Sequence, residues 1–489
     1  MKKEKRERTW EATARGRLPH VGGCRTREIA ARQNFAKVPG QPRLSRLPRL
    51  AVLSPFLFLP PLTKRLAVLS LFSFLLVLGV STNLLGQKKD QLDRASREFA
   101  AGDYPSAIRT LQSVKKLEDD PEGSLLLAVA RFHANDLLAA EAGLLALLER
   151  EEDDYPLAWF YLGRVYHAQH RFPRAAVEYK RYLRVLGGDG PERKTVVRLL
   201  RNVDNGIRAG FVSDEMIAEN LGDVVNSEND EFGPVPSPLG NGRVYFSRLR
   251  PDLTSGTRHS DILYATNQDN AWLSPTPVTP LLNTTAQESL VDISPDGQQL
   301  YYYRGADDRD GRFLVDAYRE GSDRLVTVEP DAPLAPAAGD VTPFFGSSEA
   351  VYFASRRPGG YGGLDLYKTV RRSDGSYGPP QNLGPEVNSA YDEICPFVAK
   401  DGRTLYFSTN NPAYSVGGFD VVRSFRVLGA DRYVRPENAG MPLNSAGDDT
   451  HFRLAPDTFT GYLASDRKDG LGQRDLYIVY FVEAREEMR

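Results

Sequence analysis

Beyond about residue 240 the chain repeats one pattern of apolar and polar positions. A short apolar and aromatic run is followed by a turn rich in Gly, Pro or Asp, then by a second run opened by aspartate. The first runs are VYFSR from Val244, LYYYR from Leu300, VYFAS from Val351, LYFST from Leu405 and GYLAS from Gly461. The second runs open at Asp261, Asp316, Asp365, Asp420 and Asp475, spaced 55, 49, 55 and 55 residues apart. Short β-branched and aromatic runs between turn formers predict strands. Five such copies predict an all-β propeller over residues 213–489, with five blades and six as the alternative. The last copy ends in DLYIVYFVEA, without an outer strand. ENLGDVVNSENDE, from Glu219, aligns with QNLGPEVNSAYDE, from Gln381, the tail of such a strand. Met216–Leu221 is therefore expected to complete the fifth blade, closing the ring and removing its exposed edge.

Upstream the period changes to that of helices. AWFYLGRVYHAQHRFPRAAVEYKRYL places Trp159, Leu162, Gly163 and Tyr166, then Ala175 and Tyr179. This spacing resembles the tetratricopeptide repeat, W-x2-L-G-x2-Y followed by A-x3-F, with Tyr for the final Phe. Small residues let two antiparallel helices approach, and the large rings fill the groove around them. Weaker copies align Ala107 and Ala140 with Ala175, 33 and 35 residues apart. The pattern predicts an all-α solenoid over 87–212, three repeats and a capping helix, ahead of the propeller in a multidomain chain.

Between the β copies runs a second signature: VNSENDEFGP, LNTTAQESLV, VNSAYDEICP and LNSAGDDTHF. It places Asn226, Asn283, Asn388 and Asn444 four residues before an acidic or amide residue, and the third copy keeps only Asp340 and Pro343. With SPDGQQLYYYR, KDGRTLYFSTN and RRPGGYGGLDLYK, it resembles the WD40-like (PD40, TolB-type) propeller repeats. Behind a helical repeat array and a signal segment, the whole is similar to the periplasmic part of Bacteroidota OmpA-family proteins linked to type IX secretion and gliding motility, without the OmpA domain. That resemblance implies a protein of the periplasm, associated with the outer membrane, whose partners are other envelope proteins met through the helical groove and a propeller face.

Charge is uneven. Residues 1–50 carry 14 Lys and Arg against 4 Asp and Glu, whereas from Leu66 onward 46 basic face 60 acidic residues. An acidic body argues against nucleic acid as a partner. Lys64 and Arg65 precede sixteen uncharged residues, Leu66–Ser81, and a small residue before Gln87. This is the build of a secretory signal peptide over 62–86. Residues 1–61 are then a disordered leader or a misassigned start.

Candidate chemistry is sparse. Cys24 and Cys395 are the only cysteines, so no disulfide framework exists. The six histidines form no metal-ligand spacing, and His167 and His170 are expected on a helix surface. No G-x-S-x-G, H-E-x-x-H or P-loop string occurs. GGYGGLD before Leu366 superficially resembles a calcium-binding repeat, but its period is wrong. A hairpin turn held by the Asp365 carboxylate fits better, and of the other four aspartates only Asp420 and Asp475 have comparable glycines before them. The acid pairs near the axis, Asp392 and Asp448 among them, are expected to cap turns, a cation site being the alternative. These readings lead to an expectation of no catalytic residue, no cofactor and a non-enzymatic interaction scaffold. The alternative is a ligand- or cation-binding propeller, or a propeller enzyme with its site on loops of one face.

Overall fold

A computed structural model describes residues 83–150, 154–208, 216–251, 258–279, 281–305, 310–317, 327–346 and 349–481. The expected leader and the expected signal segment as far as residue 82 lie outside the described residues.

Among the described residues seven α-helices come first: α1 (Asn83–Ala100), α2 (Tyr104–Gln112), α3 (Pro121–His133), α4 (Leu137–Arg150), α5 (Pro156–Ala168), α6 (Phe172–Val185) and α7 (Pro191–Arg208). Proline occupies the first turn of α2, α3, α5 and α6, where its missing N–H is no loss. Asp103 and Asp120 cap α2 and α3 by accepting from the Ser106 and Gly123 amides at 3.0 and 2.9 Å. Gly102, Asn135 and His170 turn the chain after α1, α3 and α5 in the left-handed conformation. Ala107, Ala140 and Ala175 are fully buried. A Cβ on Gly163 would stand 2.7 Å from the Tyr179 ring, so only glycine lets α5 and α6 close to this distance. No helix among the described residues is long and apolar enough to cross a membrane.

The rest is a five-bladed propeller. Strand β1 is Met216–Asn220. Blade 1 holds β2 (Asp230–Pro236), β3 (Arg243–Pro251), β4 (Arg258–Gln268), β5 (Ala271–Trp272) and β6 (Thr276–Pro277). Blade 2 holds β7 (Gln287–Ile293), β8 (Gln299–Gly305), β9 (Gly311–Ala317) and β10 (Thr327–Val328). Blade 3 holds β11 (Val341–Phe344), β12 (Ala350–Ser355), β13 (Asp365–Val370) and β14 (Gln381–Asn382). Blade 4 holds β15 (Glu393–Val398), β16 (Thr404–Thr409), β17 (Asp420–Phe425) and β18 (Glu437–Asn438). Blade 5 holds β19 (Asp449–Leu454), β20 (Thr460–Ser465) and β21 (Asp475–Phe481). Strand β1 pairs antiparallel with β21, from Met216 opposite Phe481 to Asn220 opposite Tyr477. The segment expected to close the ring does so.

The helices and the propeller share a core: Val416 and Met441 join the cluster built from α1 to α7. The joint is polar as well. Asn205 Nδ2 donates to the Pro412 and Ser415 carbonyls at 3.0 and 2.9 Å, and Asn202 Nδ2 donates to the Gly417 carbonyl. His167, expected on a surface, is 3% exposed. Its Nε2 lies 2.8 Å from the Val416 carbonyl and its Nδ1 3.3 Å from the Tyr179 hydroxyl. The helix face carrying it is covered by the loop of blade 4, a contact between distant parts of the chain that helical periodicity does not encode.

Candidate functional site

The innermost strands β2, β7, β11, β15 and β19 surround the axis, and every one is interrupted by a bulge at the same level. A bulge re-aims side chains and is frequent at functional sites. In four blades the bulge residue is left-handed: Gly233, Thr342, Cys395 and His451, with φ of 62, 48, 54 and 57°. Glycine takes this conformation freely, whereas a β-branched threonine is strained there. Such strain, about 1–3 kcal/mol for each residue, collects at functional sites.

These residues meet around the axis. Thr342 Oγ1 accepts from the Cys395 amide at 3.0 Å, and the Cys395 sulfur is hydrogen-bonded to the His451 backbone. Burial pushes the Cys395 thiol up to about 11 and the His451 imidazole down to about 3, so both are neutral at pH 7 and form no thiolate–imidazolium pair. Thr450 Oγ1 lies 3.0 Å from His451 Nδ1 and 3.4 Å from the Ala464 carbonyl. A hydroxyl that donates to that carbonyl accepts from Nδ1–H, the tautomer that leaves Nε2 with a lone pair.

They line a cavity of about 160 Å³ to which all five innermost strands contribute. Its walls include Phe232, Pro234, Leu290, Tyr303 and Phe313, and its polar groups include Thr342, Cys395, His451 and Arg453. That volume is roughly five waters' share of liquid. Arg453 stands with its guanidinium 4.6 and 5.4 Å from the ring centroids of Phe344 and Phe397. Burial lowers its basicity while the Asp292 carboxylate opposes the shift. Asp292 itself is buried, which raises its pKa, and accepts from the Phe345 and Ile293 amides at 2.7 and 3.0 Å. The Arg453 Nη1 is buried without a hydrogen-bond partner, an expensive condition for a cation.

The residues singled out from sequence sit elsewhere. Asp365, Asp420 and Asp475 each accept from two amides of the preceding turn, as Asp365 does from Tyr361 and Gly362 at 2.6 and 3.0 Å. Asp261 pairs with Arg250, and Asp316 accepts from Thr327. Asn226, Asn283, Asn388 and Asn444 each pair through the side-chain amide with both backbone groups of one residue in the preceding blade: Leu476, Ile262, Leu366 and Val421. Asp392 accepts from the Leu364 amide and from Asn410, and Asp448 from the Phe419 amide. Among the described residues no group of three or more His, Cys, Asp and Glu could hold a metal ion. Trp159, Leu162, Tyr166 and Tyr179 are buried in the helical core.

The second acid of each pair forms a ring of its own. Glu231, Glu288, Asp340, Glu393 and Asp449 open the innermost strands and are at most 1% exposed. Arg248, Arg304, Arg357 and Arg467 neutralise four of them. The pairing of Cys395 and His451 with this ring escaped sequence reading. Each lies two residues after a ring acid, in phase with Gly233 and Thr342.

No protein-family model and no curated protein matches the chain. Among solved structures it is similar to an alpha-L-arabinofuranosidase from Lactobacillus brevis, at 15% identity over 53% of this chain and 91% of that one, TM-score 0.35. It is similar to TolB from Acinetobacter baumannii, at 12% identity over 60% and 71%, TM-score 0.30. A Penicillium chrysogenum alpha-L-arabinanase complexed with arabinobiose matches at 10% identity over 53% and 97%, TM-score 0.32. These likenesses concern fold alone. Enzymes such as the arabinofuranosidase and the arabinanase stand among these neighbours, against the expectation of a non-enzymatic scaffold, which is not carried further. The missing motif strings do not exclude catalysis, because a site assembled from five separate innermost strands leaves no contiguous string.

Proposed function

We propose that the protein binds a small molecule in the axial cavity, and that its activity resides there. The ligand has a compact, largely apolar body and an acceptor group such as a carboxylate or carbonyl. Apolar walls with a few convergent polar groups are the usual build of a small-molecule site. The observation that carries the reading is the unpartnered Nη1 of Arg453, buried beside a cavity that an acceptor would fill. His451 Nε2 supplies a matching acceptor for a ligand donor. Turnover of the ligand is the second reading, favoured by the strained backbone of Thr342, Cys395 and His451.

The helices are read with this as a tetratricopeptide array, supported by the motif spacing from Trp159 to Tyr179 and by the close approach at Gly163. Export to the periplasm is supported by the charged and apolar segment from Lys64 to Ser81, which makes envelope metabolites the compounds to try.

The test is a panel of small carboxylates and carbonyl compounds, followed by ligand-observed NMR for both binding and conversion. At least one member should bind, with Arg453→Met weakening it tenfold or more. Conversion of a bound member selects the enzyme. A panel that does not bind, or binds Arg453→Met as well, overturns the assignment.

A further inference from the structure

Four ring acids share one local design, and the fifth departs from it. In blades 1, 2, 3 and 5 an arginine donates to the acid and also to a carbonyl of the turn before it: Val225, Leu282, Pro333 and Leu443. In blade 4 the acid is Glu393 and the matching carbonyl is that of Val387, six residues earlier as in blades 1, 2 and 5. The arginine is missing. Arg357 and Arg467 follow Ser355 and Ser465 by two residues, and their amides donate to those serine hydroxyls at 3.2 Å. The Asn411 amide donates to Thr409 Oγ1 at 3.1 Å in the same way, so Asn411 occupies the arginine's place.

Asn411 does not substitute for it. Its Oδ1 accepts from the Ala413 amide at 2.9 Å, within its own turn. Glu393 is left with neutral donors: the Ser389 amide at 3.0 Å, the Ser389 hydroxyl at 2.5 Å and the Thr409 hydroxyl at 3.1 Å. Among the described residues nothing donates to the Val387 carbonyl.

We propose that blade 4 holds an inorganic monovalent cation between the Glu393 carboxylate and the Val387 carbonyl, where its four sisters hold a guanidinium. One positive charge replaces one. The remaining oxygens at hand, Ser389 Oγ and Thr409 Oγ1, are neutral, whereas a divalent ion would ask for more carboxylates. The competitor for the position is a proton. Burial, with Asp365 adding to it, pushes the Glu393 carboxyl up to about 7, so the ion should win as the pH rises past that value.

The experiment compares melting temperatures of the full chain at pH 8 in potassium, sodium, choline and calcium salts at equal ionic strength. Potassium or sodium should stabilise the protein over choline by a few degrees, and the gap should shrink at pH 6. Asn411→Arg restores the sister design and should fold with the gap abolished. Glu393→Gln should abolish it too. Equal melting in potassium, sodium and choline overturns the proposal, as does calcium outperforming both monovalent ions. An Asn411→Arg protein that folds yet keeps the whole potassium effect places the ion elsewhere and overturns it equally.

Discussion

The loops after the second strands of blades 3 and 4 begin from the same plan and diverge. Both end in Gly-Gly-x-Asp or its equivalent, and both aspartates fasten the turn by accepting from two amides. From Ser355 to Asp365 the blade 3 loop turns inward: Arg357 reaches Asp340 and the ring acid is neutralised. From Thr409 to Asp420 the blade 4 loop is one residue longer and lacks that arginine. Its carbonyls at Pro412, Ser415, Val416 and Gly417 face α5 and α7 instead. A repeat can therefore exchange an internal clamp for an external joint within eleven residues. The charge it leaves behind then becomes available to something else.

The largest effect is expected where the clamp is intact. Arg467 and Asp449 have side chains 10% and 0% exposed, and breaking one partner of such a buried pair costs about 3–5 kcal/mol. Arg467→Ala should lower urea stability by that order, whereas Glu393→Gln at pH 6, where no arginine is lost, should cost far less. If the two variants match, the contrast between blades is not energetic.

Next is the joint. Asn202→Ala with Asn205→Ala removes three donations to blade 4 carbonyls, of which the one to Gly417 is buried and the other two are partly buried; leaving the buried carbonyl unpaired dominates the loss, at about 1–3 kcal/mol. Hydrogen exchange in α7 should accelerate while the Asn388 and Asn444 ladders in the propeller stay protected.

The pH response should have two arms. Burial depresses His167 from 6.5 to about 3, so its contribution is present above 6.5 and is lost as the pH falls through that window. Glu393 is raised from 4.5 to about 7, so its contribution is present below 4.5 and is lost as the pH rises through 7. Urea titrations from pH 4 to 8 should lose the acid-side fall in part in His167→Gln, with His451 and His170, both lowered by burial, retaining the rest, and the neutral-side fall in Glu393→Gln. The smallest effect belongs to the uncovered loop of blade 3: Tyr361 is 50% exposed, and Tyr361→Ala should change stability by no more than about 0.5 kcal/mol.

Much of this architecture is legible along the chain. Five aspartates at near-constant spacing announce five blades, and the likeness between Glu219 and Gln381 announces the closing strand, because repeats reuse the same side chain for the same backbone need. Asn226, Asn283, Asn388 and Asn444 are readable for that reason. The axial cavity is not, since Thr342, Cys395, His451 and Arg453 come from three blades and no short string contains them. Alignment of the five copies at the ring acids places Thr342, Cys395 and His451 in one column, which is the signal available. His167, Asn202 and Asn205 carry no such signal: polar residues on amphipathic helices read as solvated until the surface they meet is known.

The closing strand has a mechanical consequence. Strand β1 follows the helices in the chain and seals the fifth blade against β21, so tension pulled through the helical array would reach the ring at its own fastening. The five residue pairs between β1 and β21 would bear that load, while the side-chain bonds from α5 and α7 to blade 4 would form a second anchorage. A tug on the helices would thus load the propeller at two points, and the weaker of them would set the force at which the two parts separate.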